Sequence, residues 1–254
     1  MTAATASLEA ALALPSFSDQ VNLRQQVREA LRALLVTGQM RPGHLYSAPK
    51  LAAEFGVSAT PVREAMLDLV TEGLVEVVRN KGFRVTVLDD RDLDEIAELR
   101  GLVEVPVMRS VAQACTGTVA VEVEALRAVA RRIVAAAAAG DLVTYTEADT
   151  AFHLRMLALH GNQQVVAVVR DLRRRSRLYG LEALVAAGVL ARLAEEHEQM
   201  VEAALARDGA AMDALMTRHL GHLRSTWAQP QPLTPSRVPA GPGVRRRGGR
   251  REPT

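Results

Sequence analysis

The segment Leu51 to Leu74, LAAEFGVSATPVREAMLDLVTEGL, constrains this chain more than any other stretch. It reads as two short helices with a tight turn at Phe55-Gly56-Val57. Thr60 is placed to cap the second helix through its hydroxyl. Pro61 follows at the first helical position, where a missing N–H does no harm. Val62, Ala65, Met66, Leu69 and Val70 recur at 3.6-residue spacing and form a stripe that must be buried. Thr60, Arg63 and Leu67 lie on another face, and Gly73 ends the helix. Such a pair is either an ordinary helical hairpin or a helix-turn-helix, whose second helix offers its N-terminal end to a DNA groove.

The residues that follow favour the second alternative. Leu74 to Val78 and Phe83 to Val87 are β-branched runs flanking Arg79-Asn80-Lys81-Gly82, the pattern of a hairpin. Its tip carries Arg79 and Lys81, with Arg84 nearby, and positive charge there suits phosphates or a narrow minor groove. A basic hairpin directly after a helix-turn-helix is a winged helix, a binder of double-stranded DNA. Upstream, Asn22 to Thr37 is expected as a helix, with Val21, Val27, Leu31, Leu34 and Leu35 roughly on one face. Arg24, Arg28 and Arg32 recur every four residues on another face, either as a solvated row or as contacts to backbone phosphate. Gly38 stops that helix, Arg41-Pro42-Gly43 makes a turn, and the next helix runs from Ala48 to Phe55 with Pro49 in its first turn.

Residues 20 to 87 resemble the winged-helix domain of the GntR family of bacterial transcription regulators. The likeness rests on Leu51-Ala52, Phe55-Gly56-Val57-Ser58, Thr60-Pro61-Val62-Arg63-Glu64-Ala65, Gly73-Leu74-Val75 and Asn80-Lys81-Gly82. It implies that Arg63 points into the major groove and that Gly82 sits at the wing tip. Two positions depart from the family pattern. Ala59 stands where relatives usually have arginine, and Pro49 where many carry another, so the family's usual operator does not transfer.

Composition closes off other classes. Aromatics make up only 3% of the 254 residues, too few for the stacking platforms of a single-strand binder. The lone cysteine, Cys115, rules out a disulfide within the chain and fits a reducing cytoplasm. No apolar run approaches a membrane span. The net charge of +2 is uneven: six arginines after Gln229 face only Glu252, giving that tail +5 and the remainder −3. The basic pI therefore belongs to the tail.

From Asp89 onward we expect helices only: Leu93 to Cys115 with a kink at Pro106, Val119 to Ala139, Leu142 to Leu159, Gln163 to about Val185, Val189 to Arg207 and Ala210 to Trp227. Asp92 is placed to cap the first of them. The fold expected is mainly α: a winged helix-turn-helix over 20–88, then an all-α antiparallel helical bundle over 89–228. A disordered arm over 1–19 and a disordered Pro/Gly/Arg-rich tail over 229–254 complete it.

The bundle carries five histidines. Asp149 and His153 are four apart and share a helix face. His197 and His219 each stand eleven residues from Asp208 at the final turn, so an antiparallel hairpin brings them level, roughly 16 Å from it. His222 lies about 4.5 Å off that level. Asp149, His153, His197 and His219 are thus either ligands for zinc, nickel or another divalent ion or satisfied polar residues inside a bundle.

Residues 91 to 227 also resemble FCD, the effector domain of FadR-like GntR regulators. The metal-binding members of that class have Asp-x3-His, then Glu-His, then a later histidine, matched here by Asp149 to His153, Glu196-His197 and His219. The resemblance further implies effector contacts at Arg100, Glu104 and Asn162. Arg100 suits a carboxylate, although a structural Arg100–Glu104 bridge is an alternative; Asn162 is equally explained by capping the next helix. The function expected is a cytoplasmic transcription regulator, a repressor, that binds a pseudo-palindromic operator as a homodimer and answers to a small carboxylate metabolite. The alternative is a metal-dependent hydrolase-like enzyme joined to a DNA-binding module.

Overall fold

Two separate hydrophobic cores organise the molecule. The computed structural model describes residues 18–176, 181–186 and 188–227. The first core forms where α1 (Ser18–Val36) meets α2 (Ala48–Phe55) and α3 (Ala59–Thr71). Val27, Leu31 and Leu35 of α1 pack with Leu51 and Ala52 of α2 and with Val62, Ala65, Met66 and Leu69 of α3. Val70, expected on the buried stripe, is only half-buried. Polar chemistry reinforces the crossing. Arg24 bonds both carboxylate oxygens of Asp68, Arg28 stands 3.7 Å from the same group, and Arg32 pairs with Glu72. The four-residue arginine row is therefore a clasp onto α3. The Arg24 guanidinium holds the Asp68 carboxyl below its ordinary range.

Two helix starts are capped by residues other than those expected. The N-cap of α3 is Ser58, with extended backbone and no side-chain cap bond, so Thr60 is the second helical residue and Pro61 the third. None of the first four N–H groups of a helix has an intrahelical acceptor, so proline fits anywhere in that turn and does not mark its first residue. Asp92 is likewise not the N-cap of the first bundle helix. Asp89 is, accepting from the Asp92 N–H at 2.8 Å, while Asp92 accepts from the Asp89 N–H at 3.1 Å. Two acids three apart satisfy two orphan donors reciprocally, and the helix begins three residues earlier than the apolar pattern implies. At the turn between α2 and α3, Gly56 takes φ 68 and closes α2 onto the Ala52 carbonyl.

The wing is a three-stranded antiparallel sheet in the order β1 (Leu45–Tyr46), β3 (Gly82–Val85), β2 (Val75–Val78). The short strand β1 is absent from the sequence expectations, because two residues carry no periodicity; only β3 beside it gives them partners. Register sets Val78 opposite Gly82, so the reversal is made by Arg79, Asn80 and Lys81, with Asn80 at φ 61. Gly82 thus opens β3 beneath Tyr46 instead of standing at the tip.

The second core is a helical bundle: α4 (Asp90–Gln113), α5 (Gly117–Ala139), α6 (Leu142–Ala158), α7 (Gln163–Ser176), α8 (Leu181–Ala186), α9 (Leu190–Leu205) and α10 (Gly209–Trp227). The single helix expected from Gln163 to Val185 is described as α7 and α8, with 177–180 outside the described residues. The expected arm and tail also lie outside them, except that Ser18 and Asp19 belong to α1. Val36 and Leu88 pack against the bundle core, tying the wing domain to it.

Gly82 has φ 129, and a Cβ built there collides with the Tyr46 carbonyl oxygen. Gly82→Ala is expected to cost about 1–3 kcal/mol through backbone strain and displacement of β1. Urea denaturation measures this; an unchanged midpoint would show that β1 does not seat on Gly82.

Candidate functional site

Each bundle helix buries an apolar stripe, and on five of them a charged or polar group occupies a stripe position. On α4 these are Arg100 and Glu104, on α6 Asp149 and His153, on α7 Arg173 and Ser176, on α9 Glu196 and His197, and on α10 His219. Among them Asp149, His153, His197 and His219 each direct one ligand atom to a common point, all four atoms lying within 4.8 Å of one another.

Hydrogen bonding determines what those atoms offer. His197 Nδ1 lies 3.1 Å from the Ala194 carbonyl, which can only accept, so Nδ1 carries the proton and Nε2 a lone pair. His219 Nδ1 lies 2.9 Å from Glu196 Oε2 and donates to it, leaving Nε2 a buried lone pair with no partner among the described residues. Burial would raise the Glu196 carboxyl, but His219 and Arg218 hold it below the ordinary range and keep it ionised. His153 Nδ1 stands 3.5 Å from Glu104 Oε2, and its Nε2 is 3.2 Å from His197 Nε2. Three imidazoles thus have Nδ1 turned toward an acceptor and Nε2 turned inward. Ligand histidines are commonly oriented by such outer acceptors.

The fourth group is held in the same way. Asp149 Oδ2 accepts from Arg173 Nη2, while Oδ1 lies 3.3 Å from His197 Nε2. Ligands at zinc–nitrogen distances in a tetrahedron stand roughly 3.3–3.4 Å apart. The 3.2 Å and 3.3 Å separations around His197 Nε2 match two edges of such a polyhedron. Burial pushes His219 down to about 4 and His153 well below its ordinary value, so both rings are neutral and competent as ligands at neutral pH. The donor set fits a first-row divalent ion.

An ionic layer backs the cluster. Glu104 Oε1 accepts from Arg100 Nε at 2.6 Å, and its Oε2 accepts from Arg173 Nη1 at 3.2 Å. Burial alone would raise the Glu104 carboxyl; Arg100 and Arg173 together lower it. The Arg100–Glu104 bridge is therefore real, yet Arg100 Nη2 is buried with no acceptor among the described residues. Asn162 is brought elsewhere. It is exposed, and its Oδ1 accepts from Gln164 N at 3.0 Å and Val165 N at 3.4 Å, as a cap of α7. His222 is half-buried, with Nε2 3.8 Å from Glu196 Oε1, outside the four-ligand set. Arg173 is missing from the sequence expectations, and Glu196 enters them only as the neighbour of His197 in the family motif. The signal for Arg173 lies in the pattern: among Arg170, Arg173, Arg174 and Arg175 only it falls on the buried stripe of Val166, Val169 and Ser176. Glu196 neighbours His197 in sequence, yet it reaches His219 on the facing helix.

At the other end of the molecule, Thr60 and Arg63 are exposed at the start of α3, Pro61 is half-buried and Leu67 is 46% exposed. Arg79 and Lys81 stand exposed at the wing reversal. Arg84 is exposed too, and bonds Glu76 across the strands at 3.1 Å.

A winged helix-turn-helix joined to a helical bundle with a buried polar cluster defines a two-domain transcription regulator. Comparison with known proteins identifies its family. Residues 23–85 match the family model of bacterial regulatory proteins, gntR family, and residues 95–222 match the FCD domain. The chain belongs to the GntR family, in its FadR-like FCD class. It is 32% identical over 146 residues to the Nta operon transcriptional regulator of Aminobacter aminovorans, covering 57% of this chain and 67% of that one. It is 28% identical over 192 residues to the HTH-type transcriptional repressor GlaR of Escherichia coli, covering 73% and 87% respectively. Among solved structures it shares the fold of E. coli McbR/YncC, with a TM-score of 0.63 and 24% identity over 79% of this chain and 94% of that one. The relatives are transcription regulators, so the hydrolase-like alternative is set aside: the chain is a DNA-binding regulator of transcription and not an enzyme. No helix among the described residues is long and apolar enough to cross a membrane.

Two outcomes follow from the cluster. In metal-free protein the folded His219 value of about 4 lies below the ordinary 6.5, so the unfolded chain binds more protons between those values. Stability is full above pH 6.5 and falls as the pH drops toward 4, by at most about 1.4 kcal/mol per unit for this one group. Urea midpoints from pH 7.5 to 4 check this, and a flat profile would count against neutral buried imidazoles. Second, His219→Ala is expected to lower metal content by elemental analysis far more than His222→Ala; equal loss would remove His219 from the ligand set.

Proposed function

We propose that this regulator is a cytoplasmic repressor that binds a pseudo-palindromic operator as a homodimer, and that a small carboxylate metabolite controls it at a metal-containing site in the bundle. The observation that carries the sensor reading is the convergence of one donor atom each from Asp149, His153, His197 and His219, all buried and all within 4.8 Å of one another. A nitrogen and oxygen donor set of this kind suits zinc or nickel. Four protein ligands leave positions open if coordination expands, and a carboxylate oxygen is a suitable hard donor for them. Arg100, with its Nη2 unmatched, supplies the guanidinium that such a carboxylate needs. Glu104 fixes Arg100 from the other side.

On the DNA side the proposed contacts are Thr60, Pro61, Arg63 and Leu67 from α3 and Arg79, Lys81, Gly82 and Arg84 from the wing. The exposed guanidinium of Arg63 at the start of α3 is the proposed base reader. Arg79 and Lys81 give the wing its phosphate attraction. Arg84 is already paired with Glu76, so its share is the smaller one. Gly82 acts through hairpin geometry. One such module reads a short half-site, and a two-fold dimer doubles it into a palindrome. Regulation then needs an effector that prefers one arrangement of the domains over the other. The domain division proposed is 20–88 for DNA binding and 89–228 for effector binding and dimerisation.

The experiment has two arms on the full chain. Native mass spectrometry and elemental analysis identify the metal and any small molecule that copurify with it; protein free of metal at neutral pH would overturn the sensor reading. Selection from random duplex DNA then yields the operator. Arg63→Ala is expected to lose about 1–3 kcal/mol of binding per base contact removed. An unchanged footprint for that variant would sink the groove assignment.

A further inference from the structure

The helices that hold the polar cluster also present an apolar cleft on their outer side. α4 and α10 pack side by side, and between them opens a cleft of about 470 Å³. Its walls include Ala97, Gly101 and Leu102 on α4 and Leu220 and Gly221 on α10. A Cβ added at Gly101 or Gly221 meets no other atom within 4 Å, so the floor is open. Beside this hollow stand apolar side chains that no described residue covers: Leu102 is 68% exposed and Leu99 41%. Leu102 belongs to both features, lining the cleft and projecting from its rim. Charge completes the face. Arg109 on α4 and Asp213 on α10, each partly exposed, pair at 3.0 Å along the cleft.

We infer that this face is the two-fold contact between copies of the chain, with Leu102 of each copy seated in the α4–α10 cleft of the other. The inference rests on the dimeric reading proposed above and names the surface that makes it. A two-fold interface brings a patch onto itself, so every protrusion must find its hollow on that same patch. Leu102 and the cleft meet that condition. So does the charge pair: a two-fold that exchanges α4 and α10 contacts sets Arg109 of one copy against Asp213 of the other, and the reverse. Monomeric proteins seldom leave a large apolar patch in water, and one bordered by polar groups marks an interaction surface. A foreign helix or a small apolar ligand would fill the hollow but would require neither Leu102 as a knob nor opposite charges in one copy.

The placement also joins assembly to sensing. Arg100, Glu104 and His219 lie on the inner faces of the same two helices whose outer faces make the contact. A shift of α4 against α10 at the cluster is a shift of the dimer face.

The test is sedimentation velocity on the full chain across the low-micromolar range. Wild type is expected to sediment as a dimer. Leu102→Glu places a charge in the hollow and is expected to weaken dimerisation roughly 30-fold or more, as loss of a central anchor does. Because Leu102 is exposed, that variant should keep the wild-type helical circular dichroism at 20 °C, which separates loss of assembly from loss of fold. Arg109→Glu should weaken the dimer, and adding Asp213→Arg should restore it. A Leu102→Glu protein that stays dimeric overturns this assignment and leaves the dimeric reading standing. A wild-type protein that is monomeric both free and on DNA overturns both. Equal strength in the single and double charge variants would show that the Arg109–Asp213 pair acts only within one chain.

Discussion

The bundle depends on one constraint: Arg100, Glu104, Arg173 and Asp149 are all withdrawn from water and must satisfy one another. Removing one partner from such a buried ionic set costs about 3–5 kcal/mol, because the survivor keeps its charge without compensation. Glu104 is the hub, accepting from Arg100 on one oxygen and from Arg173 on the other. Arg173 then fixes Asp149, and Asp149 faces the histidines. The cluster therefore has an order: α4 positions α7, α7 positions α6, and the ligand atoms point inward as a result. An apolar core of the same size would be easier to stabilise, so this network costs the fold stability that the surrounding apolar stripes must supply.

The histidines show how the surroundings prepare a chemistry. Each ring has its Nδ1 beside a different acceptor: a backbone carbonyl for His197, the Glu196 carboxylate for His219 and the Glu104 carboxylate for His153. The His197 acceptor lies on its own helix α9, whereas those of His219 and His153 lie on α9 and α4, so two of the three tautomers depend on how the helices pack. Arg218 donates to Glu196 from outside at 3.0 Å and extends the chain of bonds toward the surface, while His222 stands 3.8 Å from the same carboxylate.

The reading head is linked to this interior by ordinary packing. Val36 at the end of α1 and Leu88 before α4 join the bundle core. The Arg24, Arg28 and Arg32 clasp makes α1 and α3 move as one piece. At the far end of α3, Gly73 lies against the side chain of Arg175, two residues from Arg173 on α7.

The sequence by itself determined most of the helices, the order of winged helix and bundle, and the four side chains that converge in the bundle. Those follow from local rules: apolar periodicity, glycine and proline punctuation, and the equal offset of His197 and His219 from the turn at Asp208. Helix starts were less legible, as Thr60 and Asp92 show, because every residue of a first turn tolerates proline and offers an orphan N–H to any nearby acid. Only the tertiary structure decided the roles of side chains whose partners lie on other elements. The arginine row of α1 became a clasp because Asp68 and Glu72 stand opposite it. Leu45–Tyr46 became a strand because β3 runs alongside. Arg173 and Glu196 became members of the site because helix packing carries them to Asp149 and His219. The physical reason is common to all of these: a charge or an edge strand has no meaning until its partner arrives, and the partners lie 23 to 69 residues away in sequence.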